Sequence, residues 1–429
     1  MNSPDEAPVL IPKQAAHETV SVIDSRAQYL DAVQALVAGN GPIAIDAERA
    51  SGFRYSQRAY LIQIFRRGAG TFLFDPPAVG TFTELNDALV DEEWILHAAS
   101  QDLTCLREVG IDPRKLFDTE LGARLAGLPR VGLGTVVEDL LGIHLAKEFS
   151  AADWSTRPLP QAWLVYAALD VELLVDLRET LGALLDADGK GDIARQEFEA
   201  VLARDFRIVR EQPWRRLSGL HSVRGPRGLA VARELWQARD EYAREIDTAP
   251  GRLVPDSALV AAARVLPESK RDLVAMKEFT GRASRSQIDR WWAAIQVGIA
   301  TEDLPLLRVP GDAVPPPRAW PDKNPEADRR LKAARISVQE KSTELNIPME
   351  NLLTPELLRR ICWTPPAPDD ESHIRTALVD MGARAWQVDA VADPIARAFV
   401  AAKSDDMAEP SESVVDSHQD SATDSDGDS

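Results

Sequence analysis

Cysteine is nearly missing: Cys105 and Cys362 are the only two among 429 residues. They stand far apart, without Cys-X-X-Cys or Cys/His clustering, which excludes a disulfide framework and a structural zinc site. Long apolar runs are missing too. No stretch approaches the roughly 18 uninterrupted apolar residues of a membrane span, so none is expected. The opening Met1-Asn2-Ser3-Pro4-Asp5-Glu6 has neither the basic flank nor the apolar stretch of a secretory signal, so a cytoplasmic protein is expected. Basic residues are in deficit, 49 Lys and Arg against 68 Asp and Glu, for a net charge of -19. Taken whole, that balance argues against a nucleic-acid partner, because phosphate contacts need Lys and Arg.

The distribution reverses that argument. From Ser404 onward there are nine acids and no Lys or Arg, so about half of the net charge belongs to a Ser/Asp-rich tail. Such a tail has too little apolar surface to offset its ordering entropy, so 403–429 is expected to be disordered. Between Arg204 and Arg290, 18 basic residues face 12 acids, a local excess of positive charge. What remains is ordinary globular composition, 45% apolar and 27% charged, in a chain long enough for two or three domains.

Residues 1–20 hold three prolines and little periodicity, and read as a flexible lead. Ile43-Ala44-Ile45-Asp46-Ala47-Glu48, Leu61-Ile62-Gln63-Ile64-Phe65 and Thr71-Phe72-Leu73-Phe74-Asp75 then read as short strands in a meander, bounded by Gly, Ser and Asp-Pro turns. A helix around Leu85–Val90, a strand Trp94–His97 and nearly continuous helix to Phe206 follow. This order predicts an α/β domain with a mixed sheet over 21–206. Apolar steps of three and four through Leu229, Ala232, Leu235 and Trp236 predict an all-α domain over 213–299. Within it, Pro255-Asp256-Ser257 is expected to cap a helix. Six prolines mark a semi-rigid linker over 301–321, and a second helical domain is expected over 325–402.

Asp46 and Glu48 lie two apart on an apolar strand, so their side chains leave one face and can converge on one site. The pattern alone carries little, since Asp-X-Glu recurs at Asp91/Glu93, Asp118/Glu120, Asp170/Glu172 and Asp369/Glu371. What distinguishes the first copy is its strand, where buried charge is costly unless a cation balances it. Tyr166 and Asp170 are four apart in a helical stretch and share a face. The alternative is a core tyrosine above a surface aspartate. Asp102 enters a helix after a strand, either as a site acid or as a first-turn acid favoured by the helix dipole.

Taken in order, Ile45-Asp46-Ala47-Glu48, Tyr60-Leu61-Ile62-Gln63-Ile64, His97-Ala98-Ala99-Ser100-Gln101-Asp102, Phe117-Asp118-Thr119, Asp153-Trp154-Ser155-Thr156-Arg157-Pro158 and Tyr166-Ala167-Ala168-Leu169-Asp170 resemble ribonuclease D. The match is to the tyrosine branch of the DEDD 3′-to-5′ exonucleases, and residues 213–299 resemble the HRDC (helicase and ribonuclease D C-terminal) domain, with 325–402 a diverged second copy. The resemblance implies a ribonuclease H-like α/β exonuclease domain followed by one or two all-α HRDC-like domains. It further implies that Asp46, Glu48, Asp102 and Asp170 bind metal and that Tyr166 positions the attacking water. Hard Mg²⁺ or Mn²⁺ suits oxygen donors, and two such ions roughly 4 Å apart activate a nucleophile and stabilise the leaving oxygen. The first motif departs from the family's frequent Asp-Thr-Glu-Phe, since Ala47 and Arg49 flank Glu48; this puts the terminal-nucleotide pocket in question.

The implied substrate is RNA with a single-stranded 3′ end, such as transfer-RNA precursors, shortened to release 5′-monophosphates. Lys147 and Arg157 are candidate phosphate contacts. Phe53, Tyr55 and Gln63 are placed near a terminal base or in the core. Arg215, Arg216, Arg224, Arg227, Arg282, Arg285 and Arg290 form a candidate track for the RNA backbone, or a solvated helical surface. His97 reads as a hydrogen-bonded core histidine. Two other functions remain, the same hydrolysis on DNA ends and a non-catalytic RNA-binding protein on an exonuclease fold.

Overall fold

The computed structural model describes residues 11–12, 21–145, 149, 151–207, 210–279, 281–308 and 314–406. Most of the expected lead, the acidic tail beyond 406 and Lys147 lie outside the described residues. The chain divides into two compact units, Met1–Asp312 and Ala313–Ser429.

The first unit begins with the strands β1 (Ile11–Pro12) and β2 (Val22–Ile23) and the helix α1 (Arg26–Ala38). Ser25 caps α1 by accepting the Gln28 N–H, and the helix buries Tyr29, Ala32, Val33 and Leu36. Next come β3 (Asn40–Arg49), β4 (Ala59–Arg67) and β5 (Gly70–Phe74), then α2 (Pro76–Val79), α3 (Thr83–Leu89), β6 (Glu93–Leu96), α4 (Leu103–Glu108), β7 (Lys115–Asp118), α5 (Thr119–Leu125), α6 (Leu133–Leu141) and β8 (Ile143–His144). The helices α7 (Gln161–Glu172), α8 (Leu174–Ala187) and α9 (Gly191–Ala203) close the α/β domain. Six strands form one sheet in the order β2-β5-β4-β3-β6-β7, while β1 and β8 pair separately.

The expected meander is present, with β3–β4 and β4–β5 antiparallel. Parallel β2, β6 and β7 extend it into a mixed sheet. Central β3 buries Ile43, Ala44 and Ile45 in succession, the mark of a strand covered on both faces. Helix α7 packs against β3, β4 and β5 through Leu164, Ala167 and Ala168, which join Tyr60, Leu61, Leu73 and Trp154 in one cluster.

One expectation fails here. The nearly continuous helix after His97 is interrupted by the strands β7 and β8. Strand β7 is a four-residue edge strand, too short to impose a period of two on the sequence.

An all-α domain completes the first unit: α10 (Gly225–Glu245), α11 (Pro250–Leu253), α12 (Asp256–Val265), α13 (Lys270–Ala275), α14 (Arg282–Ser286) and α15 (Ile288–Ala300). Trp214, Leu235, Val254, Leu259, Phe279, Trp291 and Ile295 fill its core. Helices α10 and α15 approach backbone to backbone at Gly298, where a Cβ would lie 2.6 Å from Val231 Cα. Asp256 does not cap α12. Its carboxylate accepts the Ser218 N–H and pairs with buried Arg239 at 2.8 Å, and Pro255 takes the cap position.

The second unit contains α16 (Trp320–Lys323), α17 (Pro325–Leu345), α18 (Met349–Leu352), α19 (Pro355–Trp363), α20 (Glu371–Asp380) and α21 (Ala385–Asp406). Helices α17 and α18 have the lengths of α10 and α11, 21 and 4 residues. No helix among the described residues is long and apolar enough to cross a membrane.

Candidate active site

The acids reach one cleft from three elements. Asp46 and Glu48 stand at alternate positions of β3, Asp102 follows the 3-10 turn Ala99–Gln101 at the start of α4, and Tyr166 and Asp170 are one turn apart on α7. One carboxylate oxygen from each of Asp46, Glu48 and Asp170 lies within 4.8 Å of the other two. Asp102 stands beside Asp46, close enough for each to act on the other's titration, and supplies a fourth carboxyl. All four line an open cleft of about 350 Å³ together with Arg49 and Tyr166.

Burial raises every one of these pKa values, and repulsion between the acids adds to it at Glu48, Asp102 and Asp170. Glu48 is pushed up to about 10 by burial and by the charges of Asp46, Asp170 and Asp102. Asp170 is pushed up to about 8, chiefly by burial and by Asp46. Asp46 and Asp102 are also raised, with burial the largest cause. Burial, with the charges of Asp170 and Glu48, moves the Tyr166 phenol upward and keeps it protonated. Among the described residues no Lys or Arg forms an ion pair with Asp46, Glu48 or Asp170, and Arg49 approaches Asp102 at 3.9 Å. A cluster of oxygen donors with so little protein countercharge fits hard divalent cations.

The other Asp-X-Glu copies show why the pattern alone carries little. Asp91 pairs with Arg114, Glu93 with Arg178, Glu120 with Arg124, Asp369 with Lys403 and Glu371 with Arg375. Buried Glu172 accepts the Thr71 hydroxyl.

Asp118 has a structural task that the sequence reading missed. Its carboxylate accepts the N–H groups of Ala98, Ala99, Glu120 and Leu121 at 2.9–3.1 Å. It therefore caps α5 and pins the turn that delivers Asp102, holding Ala98 in the left-handed region at φ 62°. An Asp-Thr pair at a strand end was the available signal. Asp118→Ala leaves these buried donors unpaired and is expected to cost about 2–4 kcal/mol of stability, read by chemical denaturation. A loss under about 0.5 kcal/mol would contradict this role.

Two expected RNA contacts are corrected. Gln63 is fully buried, lies opposite Asp46 in the β3–β4 register and donates from Nε2 to Asp46 Oδ2 at 3.2 Å. It orients an acid from behind and has no surface to offer RNA. Arg157 donates to Asp75 and to the carbonyls of Trp154, Thr156 and Tyr60, a clamp within the domain that leaves little of the guanidinium for phosphate.

Phe53 and Tyr55 also face inward. Arg252 lies 4.0 Å over the Phe53 ring, and Tyr55 donates to Asp240 of α10. His97 is half-buried in the wall of the acid cleft, hydrogen-bonding with Thr119, and burial pushes its pKa down to about 4.

The candidate arginine track divides. Arg215 stacks on Trp214 and donates to Leu306 O, Arg227 donates to Gly298 and Thr301 carbonyls, and Arg290 lies over Tyr242 beside Glu245. Arg216, Arg224, Arg282 and Arg285 are exposed, Arg285 with a bond to Phe279 O.

Comparison with known proteins agrees with this organisation. Residues 20–186 match a 3′-5′ exonuclease family model, 228–295 the HRDC domain, and 313–399 a 3′ to 5′ exonuclease C-terminal domain. Ribonuclease D of Jannaschia sp. (strain CCS1) is 30% identical over 315 residues, 71% of this chain and 78% of that protein. Ribonuclease D of Escherichia coli (strain K12) is 29% identical, over 69% of this chain and 80% of that protein.

The crystal structure of Escherichia coli ribonuclease D, described as an exoribonuclease involved in structured RNA processing, superposes with a TM-score of 0.63 at 26% identity, covering 80% of this chain and 90% of that one. A protein from Bifidobacterium adolescentis superposes at 0.85 with 36% identity, covering 92% of this chain and 100% of that one. With the exonuclease sheet, the HRDC domain and a ribonuclease D sequence running through both, the chain belongs to the ribonuclease D family of 3′-5′ exonucleases.

Proposed function

We propose that the protein is a metal-dependent 3′-to-5′ exoribonuclease that trims structured RNA such as transfer-RNA precursors from a single-stranded 3′ end, releasing 5′-monophosphates. The observation that carries this reading is the convergence of Asp46, Glu48 and Asp170 within 4.8 Å, with Asp102 lining the same cleft. Those four would hold two Mg²⁺ or Mn²⁺ ions, whose chemistry is to lower the pKa of water and to stabilise charge on the phosphate and the leaving 3′-oxygen.

The chain's own residues do the rest. Gln63 fixes the Asp46 carboxylate from behind. Asp118 sets the turn that carries Asp102. Tyr166, protonated and within hydrogen-bonding reach of Asp170, orients the attacking water without acting as a strong base. The clustered acids accept an unpaired terminus more readily than a duplex. Exposed Arg216, Arg224, Arg282 and Arg285 give the body of the RNA a basic surface, with strongly salt-dependent affinity.

The test is a time course on 3′-tailed RNA and matched DNA, with wild type and Asp46→Ala, in Mn²⁺, Mg²⁺ or chelator. A one-nucleotide ladder on RNA that disappears with chelator and in the variant is the expected result. Faster decay of DNA would assign the enzyme to DNA ends, and no metal-dependent shortening of either strand would leave a binding protein.

A further inference from the structure

Arg49 is the cation nearest the acids, and its setting differs from that of neighbouring arginines. The β3–β4 pairing slips by one residue between Glu48 and Arg49, Glu48 facing Leu61 and Arg49 facing Ala59. Irregularities of this kind re-aim side chains beside functional sites, and here Arg49 lines the same cleft as Asp46, Glu48 and Tyr166. Its Nη2 lies 3.9 Å from Asp102 Oδ1, beyond the 2.7–2.9 Å typical of a charge-assisted hydrogen bond.

By contrast Arg66 is fixed by Leu36 O, Gly41 O and Glu92, and Arg54 by the Ser155 hydroxyl. Among the described residues no hydrogen bond from the Arg49 guanidinium is found, and the side chain is 27% exposed. The fold therefore holds a permanent positive charge at the mouth of an acid cluster without anchoring it.

We propose that Arg49 is a substrate-binding residue, leaning on Asp102 while the acids are uncompensated and turning to the non-bridging oxygens of the terminal phosphodiester once cations neutralise them. The assignment rests on the exoribonuclease reading above. Its consequences have opposite signs. A fixed positive charge weakens binding of divalent cations to the neighbouring acids, yet strengthens binding of the RNA phosphate. Merely structural support for the acids would strengthen both.

The experiment uses the full chain, freed of metal by chelator, as wild type, Arg49→Gln and Arg49→Lys. Calorimetric titration with MnCl₂ alone is followed by steady-state shortening of a 3′-tailed RNA. For Arg49→Gln, the Mn²⁺ Kd is expected to fall about 3- to 10-fold, a screened charge effect at this range. The KM for RNA is expected to rise about 5- to 20-fold, with kcat changed less than about 3-fold. Arg49→Lys keeps the charge without the planar fork, so its Mn²⁺ affinity stays near wild type and its KM lies between the other two.

Unchanged or weakened Mn²⁺ binding in Arg49→Gln, with an active wild type, overturns the assignment, as does an unchanged KM. A wild type that never shortens RNA defeats the exoribonuclease reading and the Arg49 assignment with it. The Mn²⁺ titration distinguishes that case, because it reports whether the acids bind cations at all.

Discussion

Glu48→Gln is expected to lower the rate of RNA shortening by about 10³-fold or more, since losing one ligand from a charge-stabilising site costs about 4 kcal/mol in the transition state. The same substitution is expected to stabilise the metal-free protein. Glu48 is held among Asp46, Asp102 and Asp170 with its pKa pushed up to about 10, so its ionised form is disfavoured in the fold. A glutamine of the same shape removes that repulsion. The melting temperature in chelator at pH 8 should rise by a few degrees while activity vanishes. Asp46→Asn should behave alike, although Gln63 must then donate to an amide oxygen. If Glu48→Gln retains more than about a tenth of wild-type activity, Glu48 is not a ligand. If the metal-free variant melts no higher than wild type, the acids are not in conflict.

The second large effect is the coupling of pH, divalent cation and stability. Burial raises Asp170 to about 8 and Glu48 to about 10, well above the values near 4 of an unfolded chain. For acids shifted upward, the unfolded state loses its protons first as pH rises. Stability is therefore complete below about pH 4 and declines through the interval up to the folded values. In chelator the melting temperature should fall steadily from about pH 5 to pH 8, allowing for other groups by comparison with Glu48→Gln.

Divalent cation reverses the trend where the carboxylates ionise. At about 100 times its Kd a ligand contributes about 2.7 kcal/mol, which for a unit of this size is about 5–10 °C. Millimolar Mn²⁺ should give that increase at pH 8 and much less at pH 5, where protons compete for the same oxygens. Equal stabilisation at both pH values would show that the cation binds elsewhere.

The sequence carried the site further than the fold around it. Asp46 and Glu48 were separable from four other Asp-X-Glu pairs because their strand is apolar, and the structure explains the distinction, since most acids of the other copies meet an arginine or lysine. Asp102 illustrates the limit. Its position fits a helix cap equally well, and only the tertiary structure shows that it makes no cap hydrogen bond and turns to Asp46. Asp118, by contrast, carries out that capping task with four backbone donors.

Gln63 and Arg157 were misplaced, and Phe53 and Tyr55 left between substrate and core, for a related reason. A polar or aromatic side chain near a motif can point toward substrate or into the protein, and local spacing does not record which.

By itself the sequence determined the β3–β5 meander and the strand β6 after it, the helical character of the second and third domains, and the residue types at the site. These follow from periodicity, composition and turn chemistry, which act over a few residues. The tertiary structure decided which acids meet, which arginines are engaged by carbonyls, that β7 completes the sheet, and that Arg49 stands unanchored beside Asp102. Those outcomes depend on strand register and on contacts between residues as far apart as Asp46 and Asp170. Burial then sets the electrostatics, because the same carboxylate is comfortable in water and costly beside three others in a cleft.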